Sequence, residues 1–272
     1  MLAVCGVMRS GTGAGAAIAT AASSHMSASV DGKTLRVMTY NIQHGAGTDQ
    51  KLNLSRIAEV INREHPDLVG LQEVDRGVER TGRVDEIAEL ARMTRMEYAF
   101  AYNLHYQGGQ YGVAVLSRFP ILSIDHRRYQ NLREAERRGF VHIEVEAGGR
   151  RLHFVTTHLD YQYEDGRLFE TEQLMKALEN INEPLIIVGD FNVLPTGGSY
   201  KRMRERFQDA WEINGAAEGL SYPAVKPAKR IDYIFYPKAV GLRVKRAWIV
   251  RTLASDHLPV IADLEISNRV GE

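Results

Sequence analysis

The chain has 272 residues, 44% of them apolar, and balances 34 basic against 34 acidic side chains. That length supports one large core, and the zero net charge excludes a global electrostatic pull toward nucleic acid or acidic membranes. A lone cysteine, Cys5, excludes an intrachain disulfide framework, and no run approaches the ~20 apolar residues of a membrane-spanning helix.

Residues 1–32 are rich in Ala, Gly, Ser and Thr and read as a leader ahead of a single domain over 33–272. Gly13 to Ala22 has the small, apolar make-up of a signal-peptide core, with Arg9 the only basic residue before it. A cleaved signal would place the domain outside the cytoplasm, in the periplasm. A disordered leader would leave it cytoplasmic.

From Lys33 onward strand and helix signals alternate. Leu35 to Tyr40 alternates and runs into Asn41. Leu54, Ile57, Ala58 and Ile61 recur at helical spacing, and His65-Pro66 supplies the stop. Asp67 to Gln72 reads as a short buried strand ending at Glu73, and Val84 to Arg95 as a second amphipathic helix. Val113 to Leu116 is a core strand closed by Phe119-Pro120. Phe140 to Glu146, a Gly148-Gly149 turn and Leu152 to Thr156 predict a hairpin. A helix over Leu168 to Asn180 follows, then an apolar strand, Pro184 to Val188, running into Gly189-Asp190. Ile231 to Phe235, Leu242 to Val250 and the run from Val260 complete a set of about ten strands. Hairpins among interspersed helices favour mixed sheets covered by helices over one all-parallel sheet. Two basic clusters, Arg127, Arg128, Arg133, Arg137 and Arg138, then Lys201, Arg202, Arg204 and Arg206, read as solvated faces.

Chemistry-bearing side chains gather at the strand ends: Asn41, Glu73, His158, Asp190 with Asn192, Asp232, and Asp256 with His257. Singly, each has an ordinary explanation, such as a turn cap for Asn41 or a satisfied structural imidazole for His158. Gly189-Asp190-Phe191-Asn192 resists one, because a carboxylate in a tight turn after five apolar residues is costly to bury unpaired. Asp232, inside an apolar strand, likewise needs a partner such as His257. Oxygen donors without cysteine suit a hard divalent cation, Mg²⁺ or Mn²⁺, more than zinc. Imidazoles beside carboxylates suit a reaction that stabilises a phosphoryl group and moves a proton.

The motifs Thr39-Tyr40-Asn41-Ile42, Leu71-Gln72-Glu73-Val74-Asp75, Tyr111 to Ser117, Thr157-His158-Leu159, Gly189-Asp190-Phe191-Asn192, Arg230 to Ile234 and Ser255-Asp256-His257 stand in one order over about Leu35 to Glu265. In that order the chain resembles the endonuclease/exonuclease/phosphatase superfamily, the fold of pancreatic-type deoxyribonuclease. The resemblance implies an α/β protein, a four-layer α/β/β/α sandwich of two packed mixed sheets flanked by helices. It assigns the metal shell to Glu73 with Asn41 and Asp256. It assigns the attacking water to Asp190, the phosphate or nucleophile to Asn192, and the scissile phosphate to His257 with Asp232 behind it. His158 resembles a second imidazole that donates to a phosphate oxygen or the leaving group. Arg138 in Glu136-Arg137-Arg138-Gly139, Tyr222 in Ser221-Tyr222-Pro223, and Tyr111 are carried as substrate-side candidates, Tyr111 one place after Gln110, where a relative's tyrosine stands.

These assignments imply a Mg²⁺-dependent hydrolase, a phosphodiesterase attacking its substrate in line with water. The chain is compact, with about thirty residues from His158 to Asp190 and no long insertion to grip duplex DNA. That favours a small or lipid-linked phosphodiester, with a weakly specific endo- or exonuclease as the alternative. A catalytically inactive binding module would have no need to keep Glu73, Asp190, Asp232 and His257 together. The chain is taken as a monomer.

Overall fold

The computed structural model describes residues 34–238 and 241–266, so the leader expected over 1–32, and with it the question of export, lies outside the described residues. In chain order the elements are β1 (Thr34–Asn41), α1 (Leu54–Glu64), β2 (Leu68–Arg76), α2 (Glu86–Thr94), β3 (Glu97–Tyr106), β4 (Gly109–Ser117) and β5 (Ile121–Arg128). Then come β6 (Gly139–Ala147), β7 (Arg150–His158), α3 (Glu164–Ala177), β8 (Leu185–Asp190), α4 (Gly198–Arg206) and β9 (Phe207–Asp209). The described chain closes with α5 (Ala210–Asn214), β10 (Asp232–Pro237), β11 (Leu242–Ile249) and β12 (Val260–Ile266). Local chemistry sets the boundaries. Asn53 caps α1 by accepting from the Ser55 N–H, and His65 ends it in the left-handed region before Pro66. Gly148 and Gly149, at φ 60° and 73°, make the two-residue turn between β6 and β7.

The strands form two six-stranded sheets, β11-β12-β1-β2-β4-β3 and β5-β6-β7-β8-β10-β9. Each contains one parallel pair, β1 with β2 and β7 with β8; every other pairing is antiparallel. Inward-facing residues of both sheets, among them Val37, Val115, Phe154 and Val188, share one core. A second core lies between the first sheet and α1 and α2, and a third covers the other sheet with α3 and α4. The result is the expected four-layer α/β/β/α sandwich.

At Gly70 on β2 the two sheets pack closely. A Cβ there would stand 2.3 Å from Val188 Cγ2 and 2.6 Å from Thr156 Oγ1. Gly70→Ala therefore forces apart two rigid layers and costs about 1–3 kcal/mol, read as a lower urea midpoint at unchanged slope.

The topology also explains why the polar strand ends meet. The parallel pairs end together, so Asn41 and Glu73 reach one rim from the first sheet, and His158 and Asp190 reach it from the second. β10 runs antiparallel to β8 with Asp232 opposite Asp190, so its first residue joins them. β12 runs antiparallel to β1 with Val260 opposite Thr39, which brings the preceding Asp256 and His257 to the same place.

Candidate active site

Two of the rim residues stand in strained backbone. Glu73, at φ 59°, occupies a bulge where the β2–β4 register slips between Gln72 and Val74. Asn192, at φ 50°, follows the end of β8. A left-handed conformation in a non-glycine residue costs on the order of 1–3 kcal/mol and persists where the surroundings impose it. The bulge turns the Glu73 carboxylate toward its neighbours: Asn41 Nδ2 donates to Glu73 Oε1 at 3.0 Å and to Asp190 Oδ2 at 3.1 Å, bridging the two sheets. The Asn41 oxygen is occupied by the Gln43 N–H at 3.1 Å, which fixes the amide with its nitrogen toward the carboxylates.

Asp190 is the focus. Its Oδ1 accepts from the Asn192 backbone N–H at 2.9 Å. Its Oδ2 lies 3.5 Å from His158 Nε2 and 3.6 Å from His257 Nε2. Burial, and next the Asp232 carboxylate, raise the Asp190 pKa above the usual carboxylate range.

The two imidazoles are held in opposite charge states. His257 Nδ1 donates to Asp232 Oδ2 at 3.0 Å, and Ser221 Oγ donates to the same oxygen at 2.6 Å. Burial disfavours charge on His257, but Asp232 and Asp190 outweigh it and lift the ring to about 10. His257 is a cation at neutral pH. Tyr222 covers it, with ring centroids 4.6 Å apart. His158 faces a different partner: Arg138 Nη1 lies 2.6 Å from its Nδ1. A guanidinium can only donate, so Nδ1 must accept and the neutral ring's proton sits on Nε2, facing Asp190 Oδ2 at 3.5 Å; the Asn192 amide nitrogen, 3.1 Å away, is then a neighbour and not a hydrogen-bond partner. Burial and then the Arg138 charge push the His158 pKa well below its ordinary value. His158 is thus a neutral N–H donor, and His257 a charged one.

Arg138 departs from the sequence reading. It is not part of a solvated face but is 3% exposed, between His158 and Glu136, whose Oε1 lies 3.3 Å from Nη2. Arg127 and Arg202 of the basic clusters do remain at the surface in ion pairs, with Asp125 and Glu172. Asp256 sits beside Ser255 Oγ at 3.3 Å, and burial raises its carboxyl pKa. Tyr111, Tyr222 and Arg138 all line the cleft of about 710 Å³ that holds Glu73, His158, Asp190, Asn192, Asp256 and His257. Asn41 and Asp232 lie behind those residues. The cleft also contains Arg80, Tyr106, Tyr161 and Lys229, which carried no signal in the sequence.

Two donor sets could hold a cation. Donor atoms of Asp190, Asp232 and His257 lie within 4.8 Å of one another. Asp232 Oδ2 already accepts two hydrogen bonds while its buried Oδ1 has no partner, but a protonated His257 has no lone pair to offer. Glu73 and Asp256 keep free carboxylate oxygens facing the cleft, with the Asp190 carboxylate alongside. An all-oxygen set of this kind fits a hard divalent cation.

Behind the Glu73 bulge, Glu86 Oε2 accepts the Asp75 backbone N–H at 2.8 Å, and burial lifts the Glu86 carboxyl to about 8. The folded state therefore keeps a proton that the unfolded chain releases near the ordinary value of 4.5. Stability from this group is complete below that value and declines as pH rises toward 8, by at most about 1.4 kcal/mol per unit. Glu86→Gln keeps an oxygen for the Asp75 N–H without a titrating proton. Its melting temperature, relative to the unmutated chain, should rise between pH 5 and pH 8.

A two-sheet sandwich with carboxylates, an amide and two imidazoles at one rim defines a phosphoester-processing class of fold, and residues 38–257 match the Endonuclease/Exonuclease/phosphatase family. The chain belongs to that family, whose members are hydrolases and include nucleases, phosphatases and phosphodiesterases. It is similar to the uncharacterized protein YbhP of Escherichia coli K12, 26% identical over 253 residues that cover 86% of this chain and 97% of that one. Among solved structures it is similar to the human Nocturnin catalytic domain with bound sulfate, with TM-score 0.70, 24% identity, and 86% and 94% of the two chains covered. It is also similar to the mannosyl-6-phosphatase Bt3783 of Bacteroides thetaiotaomicron, with TM-score 0.69, 19% identity, and 85% and 99% covered. These structural likenesses concern the fold.

Proposed function

We propose that this chain is a divalent-metal-dependent phosphoesterase that hydrolyses a small or lipid-linked phosphodiester by in-line attack of water. The observation that carries this reading is the convergence on Asp190 Oδ2 of Asn41 Nδ2, His158 Nε2 and His257 Nε2 at 3.1, 3.5 and 3.6 Å. Glu73 and Asp256, steadied by Asn41, are the residues that would hold the cation, Mg²⁺ in first place and Mn²⁺ as its substitute. Bound there, it would neutralise charge on the phosphoryl oxygens.

The chain's own groups do the rest. His158 Nε2–H and the His257 imidazolium are preorganised donors for phosphoryl oxygens, whose charge must be stabilised as the bond to the leaving group breaks. Asp232 keeps the His257 cation in place and oriented. Asp190, with its raised pKa, is a base suited to taking a proton from water near neutral pH. Asn192, whose Nδ2 donates to the Leu159 carbonyl at 3.0 Å beside His158, holds the edge of the anion site. A cleft of about 710 Å³ has the size of a small-molecule pocket. One structural relative is a mannosyl-6-phosphatase, which is in keeping with a small organophosphate.

The test is a panel. Purified protein with Mg²⁺ or Mn²⁺, with a chelator control, is offered bis-p-nitrophenyl phosphate, inositol phosphates, sphingomyelin, single-stranded DNA and supercoiled plasmid. Turnover of the small or lipid esters ahead of DNA is expected. Plasmid nicking faster than any small ester, lost in Asp190→Ala, would replace this reading with a nuclease.

A further inference from the structure

The cleft holds a cation for which the proposed reaction has no use. Arg80 Nε and Nη2 donate to Asp75 Oδ2 and Oδ1 at 2.7 and 2.9 Å, a two-pronged grip on a fully buried carboxylate. The guanidinium carbon lies 4.9 Å over the Tyr106 ring and 5.5 Å over the Tyr111 ring. Its backbone N–H is tied to Gln107 Oε1 at 3.0 Å. Among the described residues, nothing accepts a hydrogen bond from Nη1. Glu136, which also lines the cleft, pairs with Arg138 instead.

The grip on Asp75 leaves this arginine oriented more than it leaves it satisfied. The ion pair holds the fork in place, the two rings pack against it, and one nitrogen with two N–H donors stays available in a side chain that is still 28% exposed and lines the cleft. A donor fixed in advance costs a ligand little ordering entropy, and a planar guanidinium suits a phosphate oxygen better than a mobile ammonium does. Tyr106, 39% exposed, adds a ring edge for the body of a ligand.

We propose that Arg80, with Tyr106, is a second anion subsite, which takes a further phosphate of a compact organophosphate whose first phosphoryl group lies at Asp190. The proposal rests on the phosphoesterase reading and narrows its substrate class to esters carrying two phosphates.

Two matched ligands test it: adenosine 5′-monophosphate and adenosine 3′,5′-bisphosphate. Each is titrated calorimetrically into the metal-loaded protein, and each is used as a competitor of bis-p-nitrophenyl phosphate turnover. The bisphosphate should bind the unmutated chain at least about tenfold more tightly, a 1.4 kcal/mol advantage. Arg80→Lys keeps a charge against Asp75 but spends its ammonium there, so the advantage should fall below about threefold. Tyr106→Leu leaves the ion pair alone and should also narrow it, and it decides the matter if the lysine variant fails to melt cooperatively. No advantage in the unmutated chain, or a full advantage in the folded variants, overturns the subsite. Absence of turnover together with a calorimetric advantage abolished by Arg80→Lys would instead overturn the phosphoesterase reading and leave the subsite standing.

Discussion

Asp190→Asn is expected to lower the turnover number of the metal-loaded protein by about a hundredfold to a thousandfold, with the thermal midpoint little changed. The two effects separate because the charge that serves the reaction is costly to the fold. Asp190 is buried against Asp232, so its charge costs desolvation and like-charge repulsion in the fold. An amide of the same shape relieves both costs and still accepts the Asn192 N–H that now reaches Oδ1 at 2.9 Å, but its NH2 then faces the Asn41 amide and both imidazole N–H groups, which offsets the gain. What it removes is the proton acceptor within reach of both imidazoles. The same change takes away one of the three carboxylates that lift His257 to about 10, so residual activity should decline at a lower alkaline pH. Rates on bis-p-nitrophenyl phosphate at saturating metal, from pH 6 to 10, measure both effects. A variant as fast as the parent would remove Asp190 from the reaction.

Glu73→Gln is the second large effect. Changing residues that merely support a metal ligand typically costs 10–100-fold in affinity, so removing a carboxylate from the donor set should raise the metal concentration for half-maximal activity by at least about a hundredfold. The metal-free protein should not lose stability, since Glu73 also raises the Asp256 carboxyl pKa by repulsion. Isothermal titration with Mn²⁺ reads the affinity directly, and melting without metal reads the stability. Equal Mn²⁺ affinity in the two proteins would move the cation site elsewhere, with the Asp190, Asp232 and His257 cluster the next place to look.

Much of this arrangement is legible in the sequence. Apolar runs such as Pro184 to Val188 cannot be solvated, so they mark central strands, and the polar residue that ends each one marks the rim. The pairing of Asp232 with His257 followed from the cost of burying a lone carboxylate. Other features had no local signal. β3 carries small Ala99 and Ala101 inward among half-buried aromatics, which blurs its alternation. The α4 helix lies in a basic, weakly apolar segment. The bulge that aims Glu73 depends on its register with β4, and the burial of Arg138 on a partner twenty residues away. Arg80 is the clearest case. Only the fold brings Asp75, Tyr106 and Tyr111 around it, and nothing in Glu79-Arg80-Thr81 announces that.

The most direct test of the central claim is the metal dependence of phosphodiester hydrolysis in the parent chain and in Asp190→Asn, measured side by side. Hydrolysis of bis-p-nitrophenyl phosphate should rise with Mg²⁺ or Mn²⁺ to a plateau, vanish with chelator, return when metal is restored, and stay about a hundredfold lower or more in Asp190→Asn at every metal concentration. Hydrolysis indifferent to the chelator, or an Asp190→Asn curve that overlies the parent's, would contradict it.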